Sequence, residues 1–406
     1  MSLATLWNKQ LALLFIGNVF EFYNFSLFVM FSKEISAAFF PNCPAYISYV
    51  LFAVGFVARP LGGLLFGYLG DIRGRKTSLI IAVVMLSLPT IMIGVLPGHE
   101  RLGIASQAMA LLCRLLQGVS INGEYITASV LALEKRGVSQ TFTSCILTAA
   151  NSVGTSLALL VSYIAWPCKE SWRFWFLFGG IGSLAYLWRR FAYIKESDEF
   201  VINRTTCENS GLMNLFKQHL GAVFAVIGIG AFSQAASYSV VVNIKDFTSA
   251  SDAVWVQETI RSLMIILPIF TYPAMGRLFA KSQPENVMLS IALLGVLFTY
   301  PAFCMISSPS KFTALAGGLI ITILGGSISG PSKAVYKQLF PVQCRCSGIA
   351  IGKGIGGLLF GGLSPLLNAW LIKLASFKFV AIYMTVCAVI SLGSLVVAKK
   401  RRIWGI

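Results

Sequence analysis

"GYLGDIRGRK", residues 67–76, puts four charges into ten residues, directly after "FAVGFVARPLGGLLF", residues 52–66, which contains one. The chain around it is oily. Of its 406 residues 56% are hydrophobic and 12% charged, about half the charged share of an ordinary soluble domain, and the mean hydropathy is +0.77. This composition implies a polytopic membrane protein rather than a globular core. The polar knot then reads as the loop between two membrane spans.

A bilayer core needs roughly 20 apolar residues of helix to cross it. Twelve such runs follow one another, from 10–32 and 46–67 to 347–372 and 377–398. "FPNCP", "LPGHE", "SSPSK" and "SQPEN" break them with proline beside polar residues. The longest polar stretch, "IKESDEFVINRTTCENSGLMNLFKQH", residues 194–219, separates six runs from six. The expected organisation is a bundle at 1–194, a cytoplasmic linker at 195–217 and a second bundle at 218–406.

The net charge of +17 raises the question of nucleic acid. With the N-terminus inside, twenty Lys and Arg fall in cytoplasmic segments and eight in outer ones. That bias sets the topology, with both termini cytoplasmic, and no nucleic-acid partner is needed to explain the charge. The first apolar run holds Glu21 and lacks a small-residue cleavage site, so it reads as a span rather than a signal peptide. The nine cysteines are scattered, and His99 and His219 stand apart; no metal site, cofactor or disulfide framework is expected. There is no P-loop and no nucleophile beside a base, so neither ATP-driven transport nor an enzyme is expected.

Within the knot, Gly67 and Gly70 permit close helix approach. Asp71, at the end of span two, is placed to accept hydrogen bonds from a neighbouring helix N-terminus. Arg73, Arg75 and Lys76 would sit at the membrane surface, pairing with Asp71 or with lipid phosphate.

These residues carry a resemblance. "GYLGDIRGRK" resembles the loop signature of the major facilitator superfamily. "FVARPLGGLLFGYLGDIRGRK", "RLLQGVSINGEYITASVLALE", "ESDEF" and "LFPVQCRCSGIAIGKGIGGLLFGGLSP" are similar, in order, to segments of its metabolite:proton symporter branch of osmolyte and organic-acid porters. The resemblance implies an all-α membrane fold of two six-helix bundles that rock to give alternating access. It also implies a cytoplasmic latch made of Gly67, Asp71, Gly74, Arg75 and Lys76. "GRLFAKSQPEN" from Gly276 repeats the knot weakly: Ala280 stands where Asp71 does, and the paired basic residues are gone.

Four cations, Arg59, Arg114, Arg261 and Lys353, fall inside spans, as do Glu21 and Glu124. A charge at mid-span costs roughly 2.5 kcal/mol or more, so it is expected to face a cavity or a partner. Glu21 and Glu124 are the proton-coupling candidates, with Arg59 or Arg114 as the cation that controls them. Tyr23, Asn24, Arg59, Arg114, Gln117, Arg261 and Lys353 are the substrate-binding candidates; Trp255, Tyr238 and Tyr336 add aromatic surface. The family pattern E-x-Y-D-F reads "EFYNF" here, with Asn24 for an aspartate, and Gln338 stands where a glutamate is frequent. An amide cannot carry the proton. The expected function is therefore proton-coupled uptake of a small hydrophilic metabolite, a carboxylate or carboxylate-rich chelator ahead of a zwitterionic osmolyte. An uncoupled uniporter or exchanger and a transport-dead sensor are the alternatives; the short tail "KKRRIWGI" speaks against the sensor. The expected partners are the substrate, protons and the bilayer of a bacterial inner membrane, with the protein acting as a monomer.

Overall fold

The structure is a computed structural model that describes residues 9–41, 43, 47–135, 137, 139–165, 171–208, 212–247, 254–374 and 377–404. These residues are helical throughout their long segments. With no water inside a bilayer, helices satisfy every backbone N–H and C=O internally. The spans in chain order begin with Lys9–Met30 (one), Ile47–Val57 with Arg59–Ile72 (two), Arg75–Val95 (three) and Ile104–Leu133 (four). Gln140–Ala165 (five), Trp172–Tyr193 (six), Leu220–Ile229 with Ala231–Phe247 (seven) and Val254–Leu278 (eight) come next. Pro284–Ile306 (nine), Lys311–Gln338 (ten) and Phe377–Trp404 (twelve) are continuous, while span eleven is Arg345–Gly356, a π-helical turn Gly357–Gly362, and Ser364–Leu374.

Among the described residues, eleven helices are long and apolar enough to cross a membrane. Span six has the length, 22 residues, but carries Arg173, Arg189 and Arg190 and is less apolar. Span two restarts at Arg59 because Pro60 has no N–H to donate and suits a first turn.

The chain forms two compact units. The first is Met1–Arg136, Ala150–Leu215 and Val342–Gly354; the second is Gly137–Ala149, Phe216–Pro341 and Ile355–Ile406. The start of span five groups with the second unit and the start of span eleven with the first. Glycine makes this possible. In the first unit a Cβ on Gly63 would lie 2.6 Å from the Ala350 carbonyl oxygen, and one on Gly67 2.6 Å from Ser347 Cα. Gly63, Gly67 and Gly70 form one face of span two, and the backbone of span eleven lies on it. In the second unit a Cβ on Gly276 would meet Cys145 at 3.0 Å. Ser144 donates to the Gly330 carbonyl at 2.5 Å, and Lys333 Nζ donates to Thr148 Oγ1 at 2.6 Å. Gly67 and Gly276 occupy equivalent positions in the sequence repeat, and each receives the start of a later or earlier span.

The first unit also encloses an aromatic core: Tyr23, Phe28, Phe31, Phe39, Trp172 and Phe176 are all buried. Phe39, Trp172 and Phe176 meet edge to face, at ring separations of 6.1 and 5.7 Å.

The topology is open to direct test. Cysteines introduced at Lys135 and Thr205 are expected to react with an impermeant maleimide only from the cytoplasmic side; labelling of position 205 from outside would overturn the orientation. Positions 42 and 250, expected outside, lie beyond the described residues.

Candidate functional site

At the end of span two, Asp71 accepts hydrogen bonds from the backbone N–H of Cys346 at 2.9 Å and of Ser347 at 2.8 Å. Both belong to the first turn of Arg345–Gly356, whose N–H groups have no partner in the helix itself and whose dipole favours an anion. Arg75 is completely buried within the protein. Its Nε and Nη2 donate to Glu134 at 3.1 and 3.2 Å, Nη1 to the Gly70 carbonyl at 2.9 Å, and Nη2 to the Val342 carbonyl at 2.7 Å. Asp71 is 3.7 Å away, and the Phe200 ring covers the guanidinium at 4.9 Å. So many acceptors offset the cost of taking a charge out of water.

The linker after span six completes this knot. Glu196 accepts from the backbone N–H of both Arg75 and Lys76 at 3.1 Å, capping span three. Gly74, just before it, has φ +103°, which a side chain would strain. Arg345 Nη1 donates to Glu134 and to Glu199 at 2.6 Å each, and Ser197 donates its hydroxyl to Glu134. Lys76 Nζ donates to the Phe191 carbonyl at 2.8 Å. Glu134 is the last residue of the family-like segment at 114–134, but read from the sequence it is an ordinary acid closing span four.

Deeper in the same unit the cations lie on aromatic rings. The Arg114 guanidinium is 4.3 Å from the ring centres of both Phe25 and Phe28. The Arg59 guanidinium is 4.9 Å from Phe25 and 3.8 Å from Phe56. Phe25 thus serves two arginines. Each such contact contributes roughly 0.5–2 kcal/mol and leaves the edge of the guanidinium to other partners. Arg114 Nη1 also donates to Gln117 Oε1 at 3.3 Å, and Gln117 Nε2 to Thr90 Oγ1 at 2.9 Å. Lys353 Nζ is 5.9 Å from the Tyr125 ring.

Span one supplies the remaining candidates. Asn24 Nδ2 donates to Ser183 Oγ at 3.2 Å, and Tyr23 donates to the Trp175 carbonyl at 3.5 Å. Glu21 and Glu124 are both buried. Glu124 is bound by neither of the expected arginines: Arg190 Nη1 donates to its Oε1 at 2.5 Å, with both side chains almost wholly buried. Arg190 reads in the sequence as a cytoplasmic anchor because it stands three residues from the end of span six. Arg261 belongs to the second unit, where its side chain is partly exposed and pairs loosely with Glu258 at 3.8 Å. In that unit Gln338 Nε2 donates to Gln140 Oε1 at 3.2 Å.

Residues 12–214 match the family model described as sugar (and other) transporter. The chain belongs to that family, within the major facilitator superfamily. It is a multi-pass membrane transporter, not an enzyme. The transporter is 28% identical to the proline/betaine transporter of Salmonella typhimurium, over 93% of this chain and 80% of that one. It is 29% identical to the alpha-ketoglutarate permease of Escherichia coli, over 95% and 92%. Its fold matches the solved proton:xylose symporter XylE bound to 6-bromo-6-deoxy-D-glucose with a TM-score of 0.76 at 14% identity, covering 94% of each chain.

Proposed function

We propose that this transporter takes up small carboxylates together with protons, by alternating access, in a bacterial inner membrane and as a monomer. The observation that carries the reading is the pair of guanidiniums, Arg59 and Arg114, held on the faces of Phe25, Phe28 and Phe56. Rings hold a guanidinium in place without neutralising it, and a planar guanidinium binds a carboxylate through two parallel N–H donors. Lys353, on the face of Tyr125, adds a third positive charge to the same unit. Tyr23, Asn24 and Gln117 supply neutral hydrogen-bonding groups. The two glutamates, Glu21 and Glu124, carry the proton.

In this reading residues 1–194 and 218–406 are the rocking bundles and 195–217 is the linker. The knot of Gly67, Asp71, Gly74, Arg75 and Lys76 is the latch. It holds the start of span eleven through Asp71, and Glu134 and Arg345 tie that start to the linker. The names of the relatives span both substrate classes, proline and betaine on one side and alpha-ketoglutarate on the other; the three cations favour the second. Asn24, in place of an acid and hydrogen-bonded to Ser183, supports one other reading: exchange of the same substrates without protons.

Purified protein in proteoliposomes decides between them. With an inward proton gradient, labelled alpha-ketoglutarate is expected to accumulate above equilibrium, with proton entry alongside it, and glycine betaine is expected to accumulate far less. Accumulation of betaine alone would overturn the substrate class. Carboxylate flux without proton movement would overturn coupling and leave the exchanger.

A further inference from the structure

Within the first unit, spans two, four and eleven meet where glycines remove the side chains between them. A Cβ on Gly62 would overlap the Val119 carbonyl of span four. One on Gly354 would lie 2.9 Å from Pro60 Cα and 3.0 Å from the Arg59 carbonyl oxygen. Asn122 of span four stands at this junction and is buried. Its Nδ2 donates to the Arg59 carbonyl at 3.2 Å and to the Ala350 carbonyl at 2.6 Å. Both partners are carbonyl oxygens, so the amide nitrogen must face them. Its two N–H bonds are thus committed to two different helices.

Each of these carbonyls marks a cation. Arg59 is one itself, with its guanidinium on Phe25 and Phe56. Lys353 lies one helical turn after Ala350 and brings its Nζ to 5.9 Å from the Tyr125 ring. Tyr125 is in turn one helical turn after Asn122. Arg59 is close enough for its charge to act on Lys353. Like charges repel strongly away from water, so spans two and eleven are pushed apart unless their backbones are fixed. In a bilayer, apolar contact alone gives helices little reason to stay together. A side-chain amide bonded to both backbones supplies the tie.

We propose that Asn122 is a positioning residue: it holds Arg59 and Lys353 in one register, so that both cations engage the same substrate molecule and a dianion is preferred to a monoanion of the same shape. The inference rests on the carboxylate reading for the identity of the substrate, and not for the clamp itself. Asn122 acts through the two backbones and needs no contact with the substrate. Without it, each cation follows its own helix. A monocarboxylate, which needs one cation, then loses little. A dicarboxylate loses its second charge-assisted contact.

The full-length protein in proteoliposomes tests this with alpha-ketoglutarate and with 2-oxopentanoate, the same carbon chain bearing one carboxylate. Asn122→Leu keeps the volume and removes both donors. KM for alpha-ketoglutarate is expected to rise roughly tenfold with kcat little changed, while the inhibition constant of 2-oxopentanoate stays within about twofold. An equal rise for both anions, or no rise for either, would overturn the proposal. Lys353→Gln is expected to show the same selective loss, and Asn122→Leu added to it to cost nothing further; additive losses would mean that the asparagine acts elsewhere. Should Asn122→Leu fail to reach the membrane, Asn122→Ser carries the same expectation, because its hydroxyl bonds back to its own helix. Hydrogen exchange without substrate judges the clamp by itself: peptides around Arg59 and Ala350 are expected to exchange faster in the variant, and those of span three are not. Unchanged exchange at either place would overturn the clamp. Failure of the carboxylate reading looks different: wild-type vesicles would move neither anion, which removes the preference for a dianion, while the exchange pattern still decides the clamp.

Discussion

Replacing Arg75 by glutamine is expected to destabilise the protein by about 3–5 kcal/mol, the range for removing one partner of a buried ion pair. The arginine is completely buried, and four of its hydrogen bonds go to Glu134 and to the carbonyls of Gly70 and Val342. Glutamine is too short to reach them all and carries no charge. Glu134 would keep Arg345 and Ser197 but lose its bidentate partner. Asp71→Asn is expected to cost less, about 1.5–3 kcal/mol, because asparagine retains one of the two oxygens that receive Cys346 and Ser347. The consequence for function is release of the start of span eleven. Cys344 and Cys346 are buried free thiols beside this knot, so they report directly: maleimide labelling is expected to rise steeply in Arg75→Gln and moderately in Asp71→Asn. An unchanged melting temperature together with unchanged labelling would show that the knot holds nothing.

The second large effect is expected at Arg114. Arg114→Lys keeps the charge and loses the planar fork and its stacking on Phe25 and Phe28. A charge-assisted hydrogen bond is worth about 1.5–3 kcal/mol, so KM for alpha-ketoglutarate is expected to rise by roughly tenfold to a hundredfold, with kcat less affected. Betaine exchange, which needs no second carboxylate contact, serves as the control. Equal losses for both substrates would mean that Arg114 only packs the rings. Unchanged carboxylate kinetics would remove it from the site.

The runs of apolar residues made the twelve spans legible, because the bilayer's thickness sets their length. The knot at 67–76 was legible for a different reason: so many charges at a span's end demand partners. What sequence could not show was which partner each charge takes. Arg190 and Arg189 are adjacent and identical in kind, yet one turns inward to Glu124 while the other stays exposed. A count of loop cations treats them alike. Gly17, one turn before Glu21, was the available sign that something large would press on span one there. Glu134 was missed because a single acid closing a helix is common; its importance comes from Arg75 and Arg345, 59 and 211 residues away. The exchange of the two span starts escaped for a similar reason: the glycines that receive them were visible, but not what they receive.

The π-helical turn Gly357–Gly362 follows Gly354, where the first unit's share of span eleven ends. A π turn holds one residue more than an α turn. Span eleven therefore stores spare length in its middle. Letting that turn tighten to α would advance everything after it by one residue, about 1.5 Å along the axis and roughly 100° around it. The segment Ser364–Leu374, with Asn368 buried on it, would then turn like a screw about its own axis. Three glycines in the six residues of this turn leave half of its positions without a side chain to obstruct the rotation. The change of one backbone hydrogen-bonding turn is thus enough to alter the face that this segment presents.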